Sequence, residues 1–499
     1  MDAHARPALL LINTPLVAGD ARGGLYPPLG SLTLGSFLSA RGVGVGILDP
    51  SVDLRLPPEH AALPARVLAA TAQAARARAP GVIGISTMGA VEGSFAVALS
   101  LLLREQLPDT PVVLGGSWAT GYAALILDHH PTIDAVALGA GEHSLLDALH
   151  AGLGKGQRAA VAARLASVPG WMVRGGDGRP RATGATRRPL AEESAPVDLT
   201  LLDHREQYDT LVYLTSRGCP HHCAFCTEPF MFHEQLHEPL GKIERDLAAF
   251  EHERSAGYLW LCDSLFGASR PRLDAVLPLL ARSRYEFLCE ARVDSLEPQL
   301  LQAIRAAGGN LVYFGLEAVS DRSLLHIDKV ASRPAAARYR ERALAVVEAC
   351  AAADVVPVIG VLNPVPGDGP DDLEQTLRFL AQLTLAGEAG AARAGTQVRP
   401  FFHAFPYRID LGTAAARDYP RDRQRYGTAC NVEEDEIFVE REVTRASEAV
   451  DEAAARAFRE AVRAANRAGP LVMGRVLRSM PRPFVATDWM TQVASARRG

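Results

Sequence analysis

This sequence has no excess of positive charge, few lysines and few cysteines, and two of these features exclude a class of protein. Basic residues number 52 against 57 acidic ones, so the formal net charge is −5 and no basic surface for nucleic acid is expected. Only three of the basic residues are lysines, a bias too general to indicate any one site. The seven unevenly spaced cysteines are too few for the disulfide scaffold of a secreted protein.

Long hydrophobic runs are also missing. A membrane-spanning helix needs about 20 apolar residues, whereas the longest run, at 95–103, contains Ser100 and is followed by Arg104. The apolar run at 8–12 is shorter than the roughly 7–15 residues of a signal-peptide core. We therefore expect a cytoplasmic protein that does not interact with membranes. With 499 residues, 48% of them hydrophobic, the chain is expected to fold into about three globular domains.

Residues 1–155 alternate short apolar strands with helices. The strands are expected at 8–12, 44–48, 82–86, 112–114 and 135–138. This alternation is typical of βαβ units and of a parallel sheet whose ligands bind at the carboxyl ends of the strands. No segment at those ends matches the G-x-G-x-x-G fingerprint, so we do not expect a dinucleotide cofactor.

A second series of six strands begins at Leu211. Between the two series, residues 156–205 are interpreted as a connector that contains a hairpin turn at 175–178. Six βα units indicate an incomplete barrel with its catalytic loops at the carboxyl ends of the strands. The predicted class is therefore α/β, with an open-sheet domain at 1–155, a partial barrel at 206–405 and a small, mostly helical C-terminal region at 406–499.

Three of the cysteines lie close together directly after the first strand of the second series. Cys219, Cys223 and Cys226 form a C-x3-C-x2-C array. Thiolates are the natural ligands of iron–sulfur clusters, and three of them leave one iron of a four-iron cluster open. Zinc is the alternative, with His221 or His222 as the fourth ligand, although no second cysteine pair is available. The other four cysteines are expected to be buried core thiols: Cys262, Cys289, Cys350 and Cys430.

The array, with an aromatic residue before its last cysteine, resembles the signature of the radical S-adenosylmethionine (SAM) superfamily. The blocks that follow it resemble the cobalamin-binding, methyltransferase-like branch of that superfamily. These blocks are 263–266 (resembling D-D-x-F), 292–294 (R-x-D), 315–318 (G-x-E-S) and 360–368 (G-x-P-G-E-T, with Asn363-Pro364-Val365 inserted). The likeness covers about residues 8–405. It implies a Rossmann-like cobalamin-binding domain, then a partial TIM-like (β/α)6 radical SAM barrel.

The resemblance implies three cofactors, namely a [4Fe-4S] cluster, SAM and cobalamin. It makes Cys219, Cys223 and Cys226 the metal ligands. The implied SAM contacts are Phe225, beside the adenine, and the polar side chains Asp263, Arg292 and Glu317. Roles without a cofactor are the alternative predictions. In these, Arg292 and Glu317 pair with each other, Trp118 belongs to the core, and Lys329 lies at the surface.

The cobalamin contacts implied by the resemblance are at the strand ends of the first domain. They are Tyr26, Ser86, Thr87, Met88, Gly115, Gly116, Ser117, Trp118, Gly139, Gly141 and Glu142. A D-x-H-x-x-G motif for a lower axial histidine is missing, since the only near match, at 2–7, precedes the first strand. The resemblance therefore implies cobalamin bound without a histidine ligand. The alternative is a relic domain that holds no cofactor.

The implied function is that of a cobalamin-dependent radical SAM methyltransferase. Such an enzyme uses SAM and methylcobalamin to methylate an unactivated carbon, or phosphorus, of a small biosynthetic intermediate, for example in an antibiotic pathway. A flavodoxin or ferredoxin is the expected electron donor. The alternatives are an enzyme of the same branch that cyclises, contracts or rearranges a ring, and a cobalamin carrier or sensor. No cysteine precedes Cys219, which argues against a methylthiolating enzyme with a second cluster.

Overall fold

The computed structural model describes residues 7–15, 26–54, 64–155, 158–185, 194–208, 210–232, 234–253, 258–431 and 441–466. The chain divides into two compact units, the first with the described residues up to 208 and the second with those from 210 onward. None of the helices in these ranges combines the length and hydropathy needed to cross a bilayer.

The first unit is built on a seven-stranded sheet. Its strands are β1 (Leu9–Ile12), β2 (Val45–Leu48), β3 (Val82–Ser86), β4 (Val112–Gly115), β5 (Ala135–Ala137), β6 (Trp171–Arg174) and β7 (Pro180–Ala182). They lie in the order β2-β1-β3-β4-β5-β6-β7, with the first five parallel. Strand order reverses between β1 and β3, and at such a point doubly wound sheets open a crevice for ligands.

Helices alternate with these strands, as the sequence predicts. They are α1 (Leu29–Ser39), α2 (Pro50–Asp53), α3 (Pro64–Arg78), α4 (Ala90–Gln106), α5 (Ser117–His129), α6 (Glu142–His150) and α7 (Val161–Leu165). The four residues of β1 are all buried, as expected for a parallel strand covered on both faces.

The described residues of the expected connector belong to the first unit. Strands β6 and β7 form the predicted hairpin, but they also extend the sheet antiparallel to β5. The Trp171 ring is fully buried, and its Nε1–H donates to the carbonyl oxygen of Ser144 at 3.1 Å. Further along, the Tyr208 hydroxyl donates to the buried Asp49 carboxylate at 2.9 Å. The hairpin of the expected connector is therefore part of the first sheet, where the buried Trp171 anchors it.

The second unit is an open barrel of six parallel strands. They are β8 (Thr210–Tyr213), β11 (Tyr258–Leu261), β12 (Glu286–Arg292), β13 (Gly309–Glu317), β14 (Val356–Leu362) and β15 (Phe401–Phe405), in that spatial order. Two short antiparallel pairs accompany it, β9 (Ser216–Arg217) with β10 (Leu236–His237) and β16 (Ala429–Cys430) with β17 (Val443–Arg445). The sixth strand begins three residues later than the 398–402 segment predicted from sequence.

Helices alternate with these strands and also follow the sixth one. They are α8 (Glu228–Met231), α9 (Leu240–Glu253), α10 (Arg270–Arg282), α11 (Leu300–Ala306), α12 (Asp321–His326), α13 (Arg333–Ala352), α14 (Pro370–Ala394), α15 (Ala414–Tyr426) and α16 (Glu452–Asn466). Side chains that point to them from the strands are apolar and fully buried, as at Phe287, Phe314 and Ile359.

Helices α13 and α14 pack against each other at glycine. A Cβ placed on Gly390 of α14 would lie 2.1 Å from the carbonyl oxygen of Glu348 in α13, and one on Gly387 would lie 2.7 Å from Pro400. Gly241 in α9 is the contrast, because its Cβ would meet nothing closer than Arg245 at 3.6 Å.

We therefore expect Gly390→Ala to lower the free energy of unfolding by about 1–3 kcal/mol, because the two helices must separate. Gly241→Ala is the matched control, and its higher helix propensity is expected to leave stability unchanged or raise it by up to about 1 kcal/mol. Urea unfolding of both variants measures the difference. Equal effects at the two positions would contradict the close helix contact.

Candidate active site

The three cysteines of the array lie on a tight loop that leaves β9. Gly218 starts the loop with φ = 74°, a backbone conformation that L side chains rarely adopt. A Cβ there would also lie 2.3 Å from the carbonyl oxygen of Glu234. Because β9 pairs with β10, the loop leaves the barrel edge in one fixed direction.

Main-chain hydrogen bonds hold this loop on two sides. The Ala224 N–H donates to the carbonyl oxygen of Ile327 at 2.9 Å, directly after α12. The carbonyl oxygen of Ala224 accepts the Ala415 N–H of α15 at 2.8 Å. Within the loop, the Cys226 N–H donates to the carbonyl oxygen of Cys223 at 3.0 Å. The cysteine loop is therefore anchored to the barrel and to the segment after β15.

The structure brings the three thiols near one another. Burial raises the pKa of Cys226 to about 12 and also raises the pKa of Cys219, and the charge of Cys223 disfavours both thiolates further. Within the described residues, no three His, Cys, Asp or Glu side chains are grouped tightly enough to hold a single metal ion. Buried, mutually repelling thiolates need cationic partners, and a cubane holds its thiolates farther apart than one ion does. Three thiols on one loop fit an iron–sulfur cluster, whose natural ligands are thiolates.

Asp263 supports the strand that leads into this loop. Its carboxylate accepts the Thr215 N–H at 2.6 Å, the Thr215 hydroxyl at 2.5 Å and the Ser216 hydroxyl at 2.7 Å. The side chain is buried, and burial raises its pKa although these hydrogen bonds oppose the shift. Its contact with SAM stays a prediction, but three donors already occupy the carboxylate, which favours a positioning role.

Arg292 and Glu317 have other partners than each other. The Arg292 guanidinium is bidentate to Asp294, with Nε to Oδ1 at 2.9 Å and Nη2 to Oδ2 at 3.0 Å. Burial alone would lower the pKa of Arg292, but these contacts raise it above its ordinary value and keep the group charged. Glu317 pairs instead with Lys329, Oε1 to Nζ at 3.3 Å. The reading in which Arg292 and Glu317 pair is therefore wrong.

Lys329 was expected at the surface, and this expectation is also wrong. Its side chain is only 4% exposed and lies between strand ends at the barrel edge. Glu317, which it pairs with, has φ = 67°, a strained conformation for a residue with a side chain. Strain of this kind is found at functional sites, so Glu317 remains the stronger of the two acidic SAM contacts that the resemblance implies.

Phe225 lies on the cysteine loop beside the segment that follows β15. Its ring contacts that of Tyr407 edge-on, with the centroids 6.1 Å apart. Tyr407 is buried, so it forms a fixed wall on one side of Phe225. The adenine contact predicted for Phe225 is compatible with this position.

A row of polar and aromatic side chains inside the barrel was missed from the sequence. Glu290, Tyr313 and His403 lie on the face opposite the apolar residues that contact the helices. Glu290 is paired in register with Tyr313. Two residues further along, Arg292, Gly315, Gly360 and His403 are paired across four strands and therefore share that face. The Trp260 Nε1–H donates to Glu290 Oε1 at 3.1 Å. Burial raises the pKa of Glu290 to about 7. The period-two alternation of β12, Glu-Phe-Leu-Cys-Glu-Ala-Arg, carried this signal.

In the first unit, the loops after β3 and β4 are locked together. The Thr87 N–H and hydroxyl both donate to the carbonyl oxygen of Gly115, at 2.8 and 3.1 Å, and the Ser117 hydroxyl donates to that of Met88 at 3.1 Å. Gly116 has φ = 100°, and a Cβ there would lie 2.2 Å from the carbonyl oxygen of Thr87. The resulting strand-end cradle has almost no side chains, which fits a bulky cofactor that approaches the backbone.

The other predicted cobalamin contacts lie near the starts of α1 and α6 and after β5. Ser86 lies beside Gly30 at the start of α1, and Tyr26 lies just before that helix. The Gly139 N–H donates to the Thr120 hydroxyl at 3.1 Å. Gly141 and Glu142 begin α6, with Glu142 buried. These positions gather at one edge of the sheet, and their contacts with cobalamin stay predictions.

Trp118 and Met88 differ from the rest of that set. The Trp118 ring is buried, stacks on Tyr122 with centroids 5.4 Å apart, and fills the space beside Gly93. Trp118 is therefore packed in the core of this unit, and its contact with cobalamin stays a prediction. Met88 is 78% exposed.

Two histidines of the first unit, His129 and His130, lie away from this cradle. Helix α5 begins at the carboxyl end of β4 and runs for about 20 Å before it reaches His129 and His130. They therefore lie toward the opposite edge of the sheet. Burial, then the neighbouring His129 and Arg174, lower the pKa of His130 to about 4. Residues 2–6, which contain most of the near match to an axial-histidine motif, lie outside the described residues.

Two family models match the chain. The B12 binding domain model matches residues 15–149, and the Radical SAM superfamily model matches residues 213–380. The first range contains the strand-end cradle, and the second contains the cysteine array and strands β11–β14. These domains have cobalamin, SAM and a [4Fe-4S] cluster as their cofactors.

Known proteins are similar over different shares of their length. An uncharacterized methyltransferase of Pyrococcus horikoshii is 26% identical over 260 residues, 50% of this chain and 54% of that protein. The anaerobic magnesium-protoporphyrin IX monomethyl ester cyclase of Synechocystis sp. is 26% identical over 348 residues, 64% of this chain and 63% of the cyclase. The chain thus spans between half and two thirds of these relatives.

One solved structure extends the likeness to almost the whole chain. The radical SAM methyltransferase TsrM of Kitasatospora setae, solved with cobalamin and a [4Fe-4S] cluster, matches with a TM-score of 0.68 and 15% identity, covering 98% of both chains. At that identity the match shows a common fold, which confirms the predicted α/β architecture.

Glu290 generates a prediction about pH. Burial raises its pKa to about 7 in the folded protein, compared with 4.5 for an ordinary glutamate side chain. The folded state therefore binds the proton more tightly than the unfolded state does. Wild-type stability is expected to fall as pH rises from about 4.5 to 7. Glu290→Gln removes this loss, and we expect it to raise the free energy of unfolding by about 2–3 kcal/mol at pH 8 and to change it little at pH 4.5.

Urea unfolding at both pH values measures this difference. Glu286→Gln, at an exposed position of the same strand, is the matched control and is expected to change stability by less than about 0.5 kcal/mol at either pH. A Glu290→Gln effect that is independent of pH would show that the carboxyl group is not protonated in the folded barrel.

Proposed function

Because the chain joins a B12-binding domain to a radical SAM domain, and so belongs to the cobalamin-binding radical SAM superfamily, we propose that it is a methyltransferase of that superfamily. The observation that carries the proposal is the three-thiol loop, held by Ile327 and Ala415 at the carboxyl edge of a parallel barrel. The strand-end cradle of the first sheet supports it, because the Gly116 turn holds the loops after β3 and β4 together within the range that the B12-binding model matches.

The protein's own groups have separable tasks in this proposal. When bound, the cluster supplies the electron that cleaves SAM, and cobalamin supplies the methyl carrier. Cys219, Cys223 and Cys226 hold the cluster. Phe225, fixed against Tyr407, covers the adenine. Glu317, paired with Lys329, presents a carboxylate to the ammonium or ribose groups of SAM.

The substrate is proposed to enter the barrel interior. The side chains there, Trp260, Glu290, Tyr313 and His403, offer both aromatic surface and hydrogen-bonding groups. This lining suits a small biosynthetic intermediate that accepts a methyl group on an unactivated carbon or phosphorus. A flavodoxin or ferredoxin is the proposed source of electrons.

A second candidate is favoured by the similarity to the Synechocystis cyclase, which extends over 348 residues. In this alternative the same cofactors serve a ring-forming or rearranging reaction without methyl transfer. The two candidates share every residue assigned to the cluster and to SAM, so only the products separate them.

Anaerobic reconstitution with iron, sulfide and hydroxocobalamin tests the cofactor sites. The full-length protein is expected to bind four irons and one cobalamin, and to cleave SAM when dithionite is the reductant. Cys223→Ala is expected to abolish SAM cleavage because it removes one cluster ligand. Cys430→Ala, a partly buried cysteine outside the array, is the control that retains it. Cleavage by Cys223→Ala would contradict the assignment of the cluster.

Product analysis distinguishes the two candidates without knowledge of the substrate. Reduced, cobalamin-loaded protein incubated with SAM is expected to form about one molecule of S-adenosylhomocysteine for each bound cobalamin, because each cobalamin accepts one methyl group. Protein reconstituted without cobalamin is the control and is expected to form none. Formation of 5'-deoxyadenosine without S-adenosylhomocysteine would favour the cyclase-like candidate.

A further inference from the structure

The guanidinium of Arg292 reaches the cysteine loop. Its Nη1 lies 3.5 Å from Cys223 Sγ, within the range of a hydrogen bond to sulfur. The rest of the group is held in place, because Nε and Nη2 bind both oxygens of Asp294 and Nη2 also donates to the carbonyl oxygen of Lys329 at 2.8 Å. The side chain is only 7% exposed.

This arrangement differs from the SAM contact that the sequence resemblance implies for Arg292. A guanidinium binds a carboxylate best through two parallel N–H groups, and here Asp294 already accepts that pair. The Tyr339 ring closes another side, with its centroid 5.8 Å from the Arg292 Cζ. The Tyr339 hydroxyl in turn donates to the carbonyl oxygen of Gly315 at 2.9 Å. Of the two N–H groups that remain, both on Nη1, one lies within reach of Cys223.

A positive charge beside a cluster ligand has a defined electrostatic effect. Reduction adds one negative charge to the cluster, and a nearby cation stabilises the more negative state. Hydrogen bonds to the sulfurs are among the factors that set the potentials of iron–sulfur clusters. Groups that bind a metal ligand rather than the metal also fix its orientation.

We propose that Arg292 is a positioning residue that donates a hydrogen bond to the Cys223 thiolate and raises the reduction potential of the cluster. The inference rests on the cluster assigned under the proposed function. In the step concerned, the cluster accepts one electron from an external donor of the flavodoxin or ferredoxin class, and no proton moves. The guanidinium stays charged because Asp294 remains bound to it.

The same contacts connect the cluster to the proposed SAM site. Arg292 binds the Lys329 carbonyl oxygen, and the Lys329 Nζ binds Glu317. Cys223, Arg292, Lys329 and Glu317 thus form one continuous buried chain of contacts. A change at Arg292 is therefore expected to act first on the cluster and only secondarily on SAM.

The test is a redox titration of the reconstituted full-length protein, monitored by electron paramagnetic resonance with dithionite as the reductant and without SAM. For Arg292→Gln we expect the ratio of reduced to oxidised cluster at a given potential to fall by about tenfold, which for a one-electron couple is about 59 mV toward more negative potential. The affinity of the oxidised variant for SAM is measured separately. It is expected to stay within about twofold of the wild-type affinity, well below a tenfold change.

Two further variants keep the test decisive. Arg292→Lys keeps the charge without the planar fork, so it is expected to shift the potential less, in the same direction. Arg340→Gln is the matched control, because Arg340 likewise binds a carboxylate and a carbonyl oxygen, those of Asp321 and Val319, away from the cysteines. It is expected to leave the potential unchanged.

Several outcomes would overturn the inference. A wild-type potential in Arg292→Gln together with lost SAM binding would assign Arg292 to the SAM carboxylate instead. If Arg292→Gln does not retain four irons, a wild-type potential in Arg292→Lys would overturn it equally. Failure of the wild-type protein to bind a cluster would overturn the proposed function as well, so the two failures are distinguishable.

Discussion

The carboxylate of Asp263 is the interaction on which the barrel edge depends. It lies just beyond the end of β11, and it accepts three hydrogen bonds from Thr215 and Ser216, which follow β8. Two neighbouring strands are thereby joined where the cysteine loop begins. Burying a carboxylate is costly unless donors surround it, and here every donor comes from the segment that leads to Cys219. The position of the thiols therefore follows from a group that does not need to touch a cofactor.

A second set of charges lies beside the cysteine loop, where Arg292 reaches Cys223. Asp294 holds Arg292, and Lys329 holds Glu317, so each charged group has a partner of opposite sign. Arg292 and Lys329 are the buried members, and a buried cation that loses its carboxylate partner is left uncompensated, which is destabilising. The edge of the barrel is therefore preorganised before any cofactor binds, because its charges already lie in fixed positions.

Local pattern predicts much of the fold and of the cofactor sites. Strands such as Val82–Ser86 are read correctly because a buried parallel strand is a short apolar run bounded by turns. The cysteine array is legible because all three ligands lie within eight residues of one loop. The role of the 156–205 segment cannot be predicted from the sequence, because β6 joins the sheet through a pairing with β5 that no local signal specifies. Lys329 is misread for the same reason, because its partner Glu317 lies on another element.

The barrel interior explains why the substrate cannot be derived from the sequence as the cofactors can. The predicted cluster ligands belong to one segment, whose residue types and spacing suit the chemistry of the cluster. The interior lining instead takes single side chains from separate strands, Trp260 from β11, Glu290 from β12, Tyr313 from β13 and His403 from β15. Any one of these residues is ordinary in its own strand, and only the parallel register places them on a common face. Substrate specificity in such a barrel is therefore a property of register, and it becomes visible only when neighbouring strands are aligned.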